Sequence, residues 1–201
     1  MDDHGAAGPR RRVYRDQRVR TRRASRGLVR LFLAIELTTA GPTEASAPAH
    51  LTVKFLGEVR PDQLPAISEA VTEAVRDRPP FDLLLEGVGA FPSRDHPRVV
   101  WVGATRGATE VADVAARLAT ALVPLGFPKE RERFVPHLTL FRVRSPGERR
   151  RAEALLSGAE PAPPTREVRV MEVVLKESTL TPRGAIHQTR ATFPLGGGRP
   201  G

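Results

Sequence analysis

One tetrapeptide occurs twice in this chain: His50-Leu51-Thr52-Val53 opens one apolar, β-favouring run and His137-Leu138-Thr139-Leu140 opens another. A strand alternates its side chains between two faces. Each copy therefore presents an imidazole and a hydroxyl on one face, His50 with Thr52 and His137 with Thr139. Leu51, Val53 and Phe55 form the apolar back of the first copy, and Leu138 and Leu140 that of the second. A lone histidine at a strand start is ordinarily structural or exposed. The same His-x-Thr triplet in two equivalent strand contexts, in a chain with five histidines, calls for a fold that uses both.

Placed side by side, two such strands gather two imidazoles and two hydroxyls around one point. Imidazole titrates near neutral pH, so one copy can accept a proton while the other donates one. Hydroxyls bond to anionic oxygens. The set suits transfer or hydrolysis at phosphorus, and without carboxylates it is a poor divalent-metal site. No metal and no cofactor are expected.

The remaining periodicity supplies a scaffold. Val29–Leu37 reads as a buried first strand. Pro61 is placed to start a helix to about Arg78, with Leu64, Ile67, Val71, Ala74 and Val75 on one face, and Pro79-Pro80 stop it. Phe81–Val88 reads as a strand, Gly89–Arg98 as a loop and Val99–Val102 as a strand. Ala108 to about Leu122 is a second amphipathic helix, Gly147–Ser157 a short third one, and Pro161–Pro164 a linker. Val168–Ser178 and His187–Phe193 read as closing strands, and residues 196–201 as a flexible tail. Each half thus holds a His-x-Thr strand, a helix and further strands. The expected class is α+β with a pseudo-duplicated plan.

With 201 residues the chain can bury one substantial core. It has no cysteine, which excludes disulfides and thiolate metal sites and fits a cytoplasmic setting. The net charge of +9 invites a nucleic-acid reading, but residues 1–30 hold ten arginines against three aspartates. The rest of the chain is nearly neutral. Residues 1–28, Arg-rich and poor in apolar side chains, read as a disordered tail, or as a mis-assigned start with Val29 as the true initiator. Arg22-Arg23 before Leu28–Leu37 also has the look of a twin-arginine export signal, but Arg30 and Glu36 interrupt its apolar run. No run reaches the length of a membrane span.

HLTVKFLGEV and FVPHLTLFRV resemble the two signatures of the 2H phosphoesterases, specifically the LigT-like RNA 2′,3′-cyclic phosphodiesterases, also called 2′-5′ RNA ligases. RLFLAIEL at 30–37, GVGAFPS at 87–93, PRVVWVG at 97–103 and VVLKESTL at 173–180 extend the likeness over most of the chain. The resemblance implies one bilobal domain over residues 29–195, with antiparallel-rich sheets facing a central cleft, helices outside, and the motifs at the cleft floor. It implies His137 as proton acceptor, His50 as proton donor, and Thr52 and Thr139 as holders of the phosphate oxygens. The implied substrate is an RNA 3′ end or a nucleotide bearing a 2′,3′-cyclic phosphate, acted on by a cytoplasmic monomer.

Accessory candidates follow. Lys54, two residues past Thr52 on the expected His50 face, can draw in phosphate. Arg142 lies where relatives keep Arg, but its offset of five from His137 points it to the opposite face of a regular strand. Trp101 is read as core, or as a stacking face for a base. His187 stands where relatives commonly have Tyr and is read as a strand residue or a third imidazole. His96 is read as an exposed loop side chain. Relatives carry a helix between the first strand and the first motif, and Thr38–Ala49 is too short for one. Three alternatives stay open: 2′-5′ ligation by the reverse reaction, a small cyclic nucleotide as substrate, and a non-catalytic RNA binder using the Arg-rich tail.

Overall fold

The computed structural model describes residues 27–37, 49–182 and 184–197. The expected tail at 1–28 lies outside them up to residue 26, and so do the segment expected to lack a helix, from 38 to 48, and the end of the C-terminal tail from 198.

Among the described residues eight strands and three α-helices follow in the order β1 (Val29–Glu36), β2 (His50–Val59), α1 (Leu64–Val75), β3 (Phe81–Pro92), β4 (Pro97–Ala104), α2 (Ala108–Ala121), β5 (His137–Arg142), α3 (Pro146–Ser157), β6 (Arg166–Val170), β7 (Glu172–Thr181) and β8 (Gly184–Pro194). They build two four-stranded antiparallel sheets, β2-β1-β7-β8 and β5-β4-β3-β6. The α+β expectation holds, and each sheet carries one His-x-Thr strand at an outer position.

Two boundaries differ from the sequence reading. The expected loop after Val88 is strand: β3 continues to Pro92 and pairs with β4 from Pro97 onward, forming one long hairpin. The single strand expected over Val168–Ser178 is two. β6 pairs with β3 in the second sheet and β7 with β1 in the first. The chain changes sheets at Met171, which is exposed. A β-favouring run without Gly or Pro carries no sign of which sheet each part joins.

The helices seal the backs of the sheets. Leu31, Leu33 and Ile35 of β1 meet Ile67, Val71 and Val75 of α1 and Val111, Val114 and Leu118 of α2 in a core cluster that also takes in Leu83, Leu85 and Val102 of the second sheet. Burying each such side chain contributes about 1.5–3 kcal/mol before conformational entropy is charged against it. α3 closes the far end of the second sheet with Ala152 and Leu155 on Val100. Its start is fixed by Ser145, whose Oγ accepts from the Glu148 N–H while the Glu148 carboxylate accepts from the Ser145 N–H.

Candidate active site

β2 and β5 come into contact where the two sheets meet. Their pairing registers contain the main departure from simple alternation. Thr52 lies opposite Ala34 and Lys54 opposite Leu33, so Val53 is an extra residue; Thr139 lies opposite Trp101 and Phe141 opposite Val100, so Leu140 is an extra residue. Val53 and Leu140 hold the same place in the two tetrapeptides. Each strand therefore bulges directly after its threonine, and the next two paired residues, Lys54 and Phe55 in β2 and Phe141 and Arg142 in β5, change face.

The bulges redistribute three residues. Lys54 joins Leu33 on the core side rather than sharing the His50 face. It is 3% exposed, and its Nζ donates to the Pro128 carbonyl and to the Glu130 carboxylate, each at 2.8 Å. It thus ties β2 to the segment that delivers the chain to His137. Phe55, expected at the back, lies opposite Phe32 on the His50 face and is 62% exposed. Arg142, expected to point away from His137, lies opposite Val99 on the face shared with Trp101 and Thr139.

In the first lobe His50 is one corner of a ring triangle. Its ring centroid is 5.1 Å from Phe32 and 5.1 Å from His187, and Phe32 and His187 are 5.0 Å apart. The structure thus brings His187 to His50 as a third imidazole. Glu36 sits opposite His50 in the register. Its carboxylate pairs with the buried Lys176 ammonium, which also donates to Thr189 Oγ1 at 3.1 Å. His187 is held below the ordinary histidine range, first by burial and then by the Lys176 charge.

In the second lobe His137 Nδ1 lies 2.7 Å from the Val135 carbonyl. A carbonyl only accepts, so Nδ1 carries the proton and Nε2 of the neutral ring keeps its lone pair. The ring meets Phe91 edge-on at 4.9 Å and lies 5.9 Å from Trp101. Burial lowers the His137 pKa, the Val135 bond opposes that, and the Arg142 charge adds a smaller lowering. Trp101 lies on this same face, its indole over Gly89, where any Cβ would overlap the ring. Close approach across the strands requires glycine there.

Among the described residues no three His, Cys, Asp or Glu side chains come together as a metal site, and Glu36 is committed to Lys176. His96 lies exposed in the β3–β4 turn. Phe32, Glu36, Phe91 and Lys176 were not singled out in the sequence; strand parity was the available signal for the first pair. Phe32 and Glu36 lie on one face of β1 and Phe91 shares a face with Gly89.

Two facing sheets with a His-x-Thr strand on each define the architecture of a LigT-like 2H phosphoesterase. The family model of the 2′-5′ RNA ligase superfamily matches residues 34–179, and the chain belongs to that superfamily. It is 36% identical over 146 residues to a Methanothermobacter thermautotrophicus protein named RNA 2′,3′-cyclic phosphodiesterase, covering 73% of this chain and 78% of that one. An Aquifex aeolicus protein of the same name is 30% identical over 169 residues, covering 84% of this chain and 89% of its own. Among solved structures, TT0787 of Thermus thermophilus matches with a TM-score of 0.64 at 26% identity over 85% of this chain and 100% of that one. Escherichia coli LigT complexed with 3′-AMP matches with a TM-score of 0.61 at 25% identity over 84% and 98%.

Proposed function

We propose that the protein is a metal-independent RNA 2′,3′-cyclic phosphodiesterase that opens the terminal cyclic phosphate to a 2′-phosphomonoester. The observation that carries this reading is the tautomer of His137. With Nδ1–H committed to the Val135 carbonyl and the pKa lowered, the ring is neutral near pH 7 and its Nε2 lone pair is available on the Thr139 face.

In this mechanism His137 Nε2 takes a proton from water as the water oxygen bonds to phosphorus. The bond from phosphorus to the 3′ oxygen breaks, and His50 gives that oxygen a proton. Thr52 and Thr139 donate to the non-bridging oxygens as charge builds on them, and Arg142 adds a positive charge on the same face. His187 borders His50, and Phe55 and Trp101 offer aromatic surface to the base. Residues 29–195 are taken to work as one bilobal unit, since a single core cluster draws on both sheets. The protein is proposed to act as a cytoplasmic monomer on RNA ends or nucleotides bearing the cyclic phosphate. No helix among the described residues is long and apolar enough to cross a membrane.

The test is substitution of each imidazole. General acid–base groups contribute about 10²- to 10⁴-fold, so His50→Ala and His137→Ala should each lower kcat on 2′,3′-cyclic nucleotides by that order. Near-normal turnover by either variant would reject the assignment. EDTA should leave the rate unchanged; a loss reversed by zinc would mean a metal reaction.

A further inference from the structure

The arginines of the folded body differ in their partners, and Arg30, Arg94, Arg131, Arg133 and Arg166, spread over the molecule, have no carboxylate partner among the described residues. Arg60, Arg76, Arg78, Arg106, Arg117, Arg151, Arg169 and Arg190 form ion pairs with carboxylates. Arg98, Arg142, Arg144, Arg149 and Arg150 have no carboxylate partner among the described residues, and they gather at one end of the second lobe. The fold brings them together. Arg142 ends β5 on the His137 face. Arg98 at the start of β4 accepts through its carbonyl from the Val143 N–H, and Arg144, Arg149 and Arg150 line a surface groove with Val143, Ser145 and Pro146.

A carboxylate stands nearby, but it is committed elsewhere. Glu148 accepts from the backbone N–H groups of Arg144 and Ser145 as part of the α3 cap. Its lowered pKa follows first from the Arg144 backbone bond, with the Arg144 charge the smallest contribution. On the other side of β5 Lys129, Arg131 and Arg133 also lack an ion pair among the described residues, but there Glu130, held by Lys54, and Glu132 are interleaved with them. Positive charge without a carboxylate partner among the described residues runs from Arg142 at the cleft outward past Arg98 to the groove at the α3 N-terminus. Clustered, exposed guanidinium groups that lead away from a site for a strand terminus match a repeating phosphate chain, which arginine binds bidentately.

We infer that the groove of Arg144, Arg149 and Arg150 is a binding track for the phosphodiester backbone of single-stranded RNA upstream of the cyclic end. It makes the enzyme prefer oligonucleotides to mononucleotides. The inference rests on the phosphodiesterase reading and deepens it.

The test uses the full chain and the triple variant R144A/R149A/R150A, with R144K/R149K/R150K as the charge-preserving control. Substrates are a 2′,3′-cyclic mononucleotide and a single-stranded oligoribonucleotide of about ten residues with a cyclic 3′ end. In the alanine variant KM for the oligonucleotide should rise tenfold or more, with mononucleotide kcat/KM within twofold of the parent and the lysine control recovering most of the loss. The slope of log affinity against log salt should fall by roughly 0.7 for each phosphate contact removed. Unchanged oligonucleotide KM, or equal losses on both substrates, would overturn the track. Failure of the parent to open the cyclic phosphate of either substrate would reject the phosphodiesterase reading instead. Fluorescence-anisotropy binding of the same oligonucleotide with a 3′-hydroxyl end then judges the track by itself, where equal affinity of parent and alanine variant sinks it.

Discussion

At the scale of single residues, the two imidazoles have the same sequence context and different surroundings. His137 is half-buried against Phe91 and tied to a backbone carbonyl, whereas His50 lies in a ring triangle with Phe32 and His187. The lowered His137 pKa keeps the basic form in hand below the ordinary value near 6.5. The acid limb of kcat/KM should therefore fall at a pH below about 6.5, since activity requires that ring unprotonated. Arg142→Ala removes one of the lowering influences and should move that limb toward higher pH while raising KM. An unmoved limb would mean that Arg142 does not act on His137. The pair His50 and His137, with their threonines, was legible from repetition and period alone. The tautomer was not, because it depends on Val135, whose carbonyl direction no sequence pattern reports.

At the scale of elements, the two bulges explain which readings transferred. Alternation holds from the histidine to the threonine and fails one residue later, so Lys54, Phe55 and Arg142 all landed on the faces opposite to those expected. An extra residue in a ladder leaves no mark in an apolar, β-favouring sequence, and both bulged positions, Val53 and Leu140, look like ordinary core residues. Lys54 becomes a strut as a result. Lys54→Ala removes the donor to the Pro128 carbonyl and loosens the lead into His137; it should cost about 1–3 kcal/mol, the usual penalty for a buried polar group left unsatisfied. Denaturant unfolding would measure this, and kcat should fall with it. A variant as stable and active as the parent would remove the strut from the account. Gly89→Ala is expected to force the Trp101 indole from its place at a cost of about 1–3 kcal/mol, as overpacking does, visible as a shifted tryptophan emission.

At the scale of the whole molecule, the sheets share one core and present unequal cleft faces: Glu36, Lys176 and His187 on one side, Phe91, Trp101 and Arg142 on the other. The duplicated α+β plan could be read from the two motifs and the helical periods. The exchange between sheets at Met171 could not, since β6 and β7 follow one another without a turn signal and their partition is decided by pairing with β3 and β1. The lowered histidines also set a pH dependence of stability. His137 and His187 bind protons less readily folded than unfolded. Their contribution is therefore present above about pH 6.5 and is lost as pH falls from there through the folded-state values. The melting temperature should drop between about pH 7 and pH 5, and His187→Gln should lessen the drop; an equal drop in the variant would assign it to other groups.

The most direct measurement of the central claim is the identity of the product formed from a 2′,3′-cyclic nucleotide in the presence of EDTA. Attack that expels the 3′ oxygen, with His50 as its proton donor, yields the 2′-monophosphate alone, and that is the predicted result. A 3′-monophosphate, or no turnover at all, would contradict it.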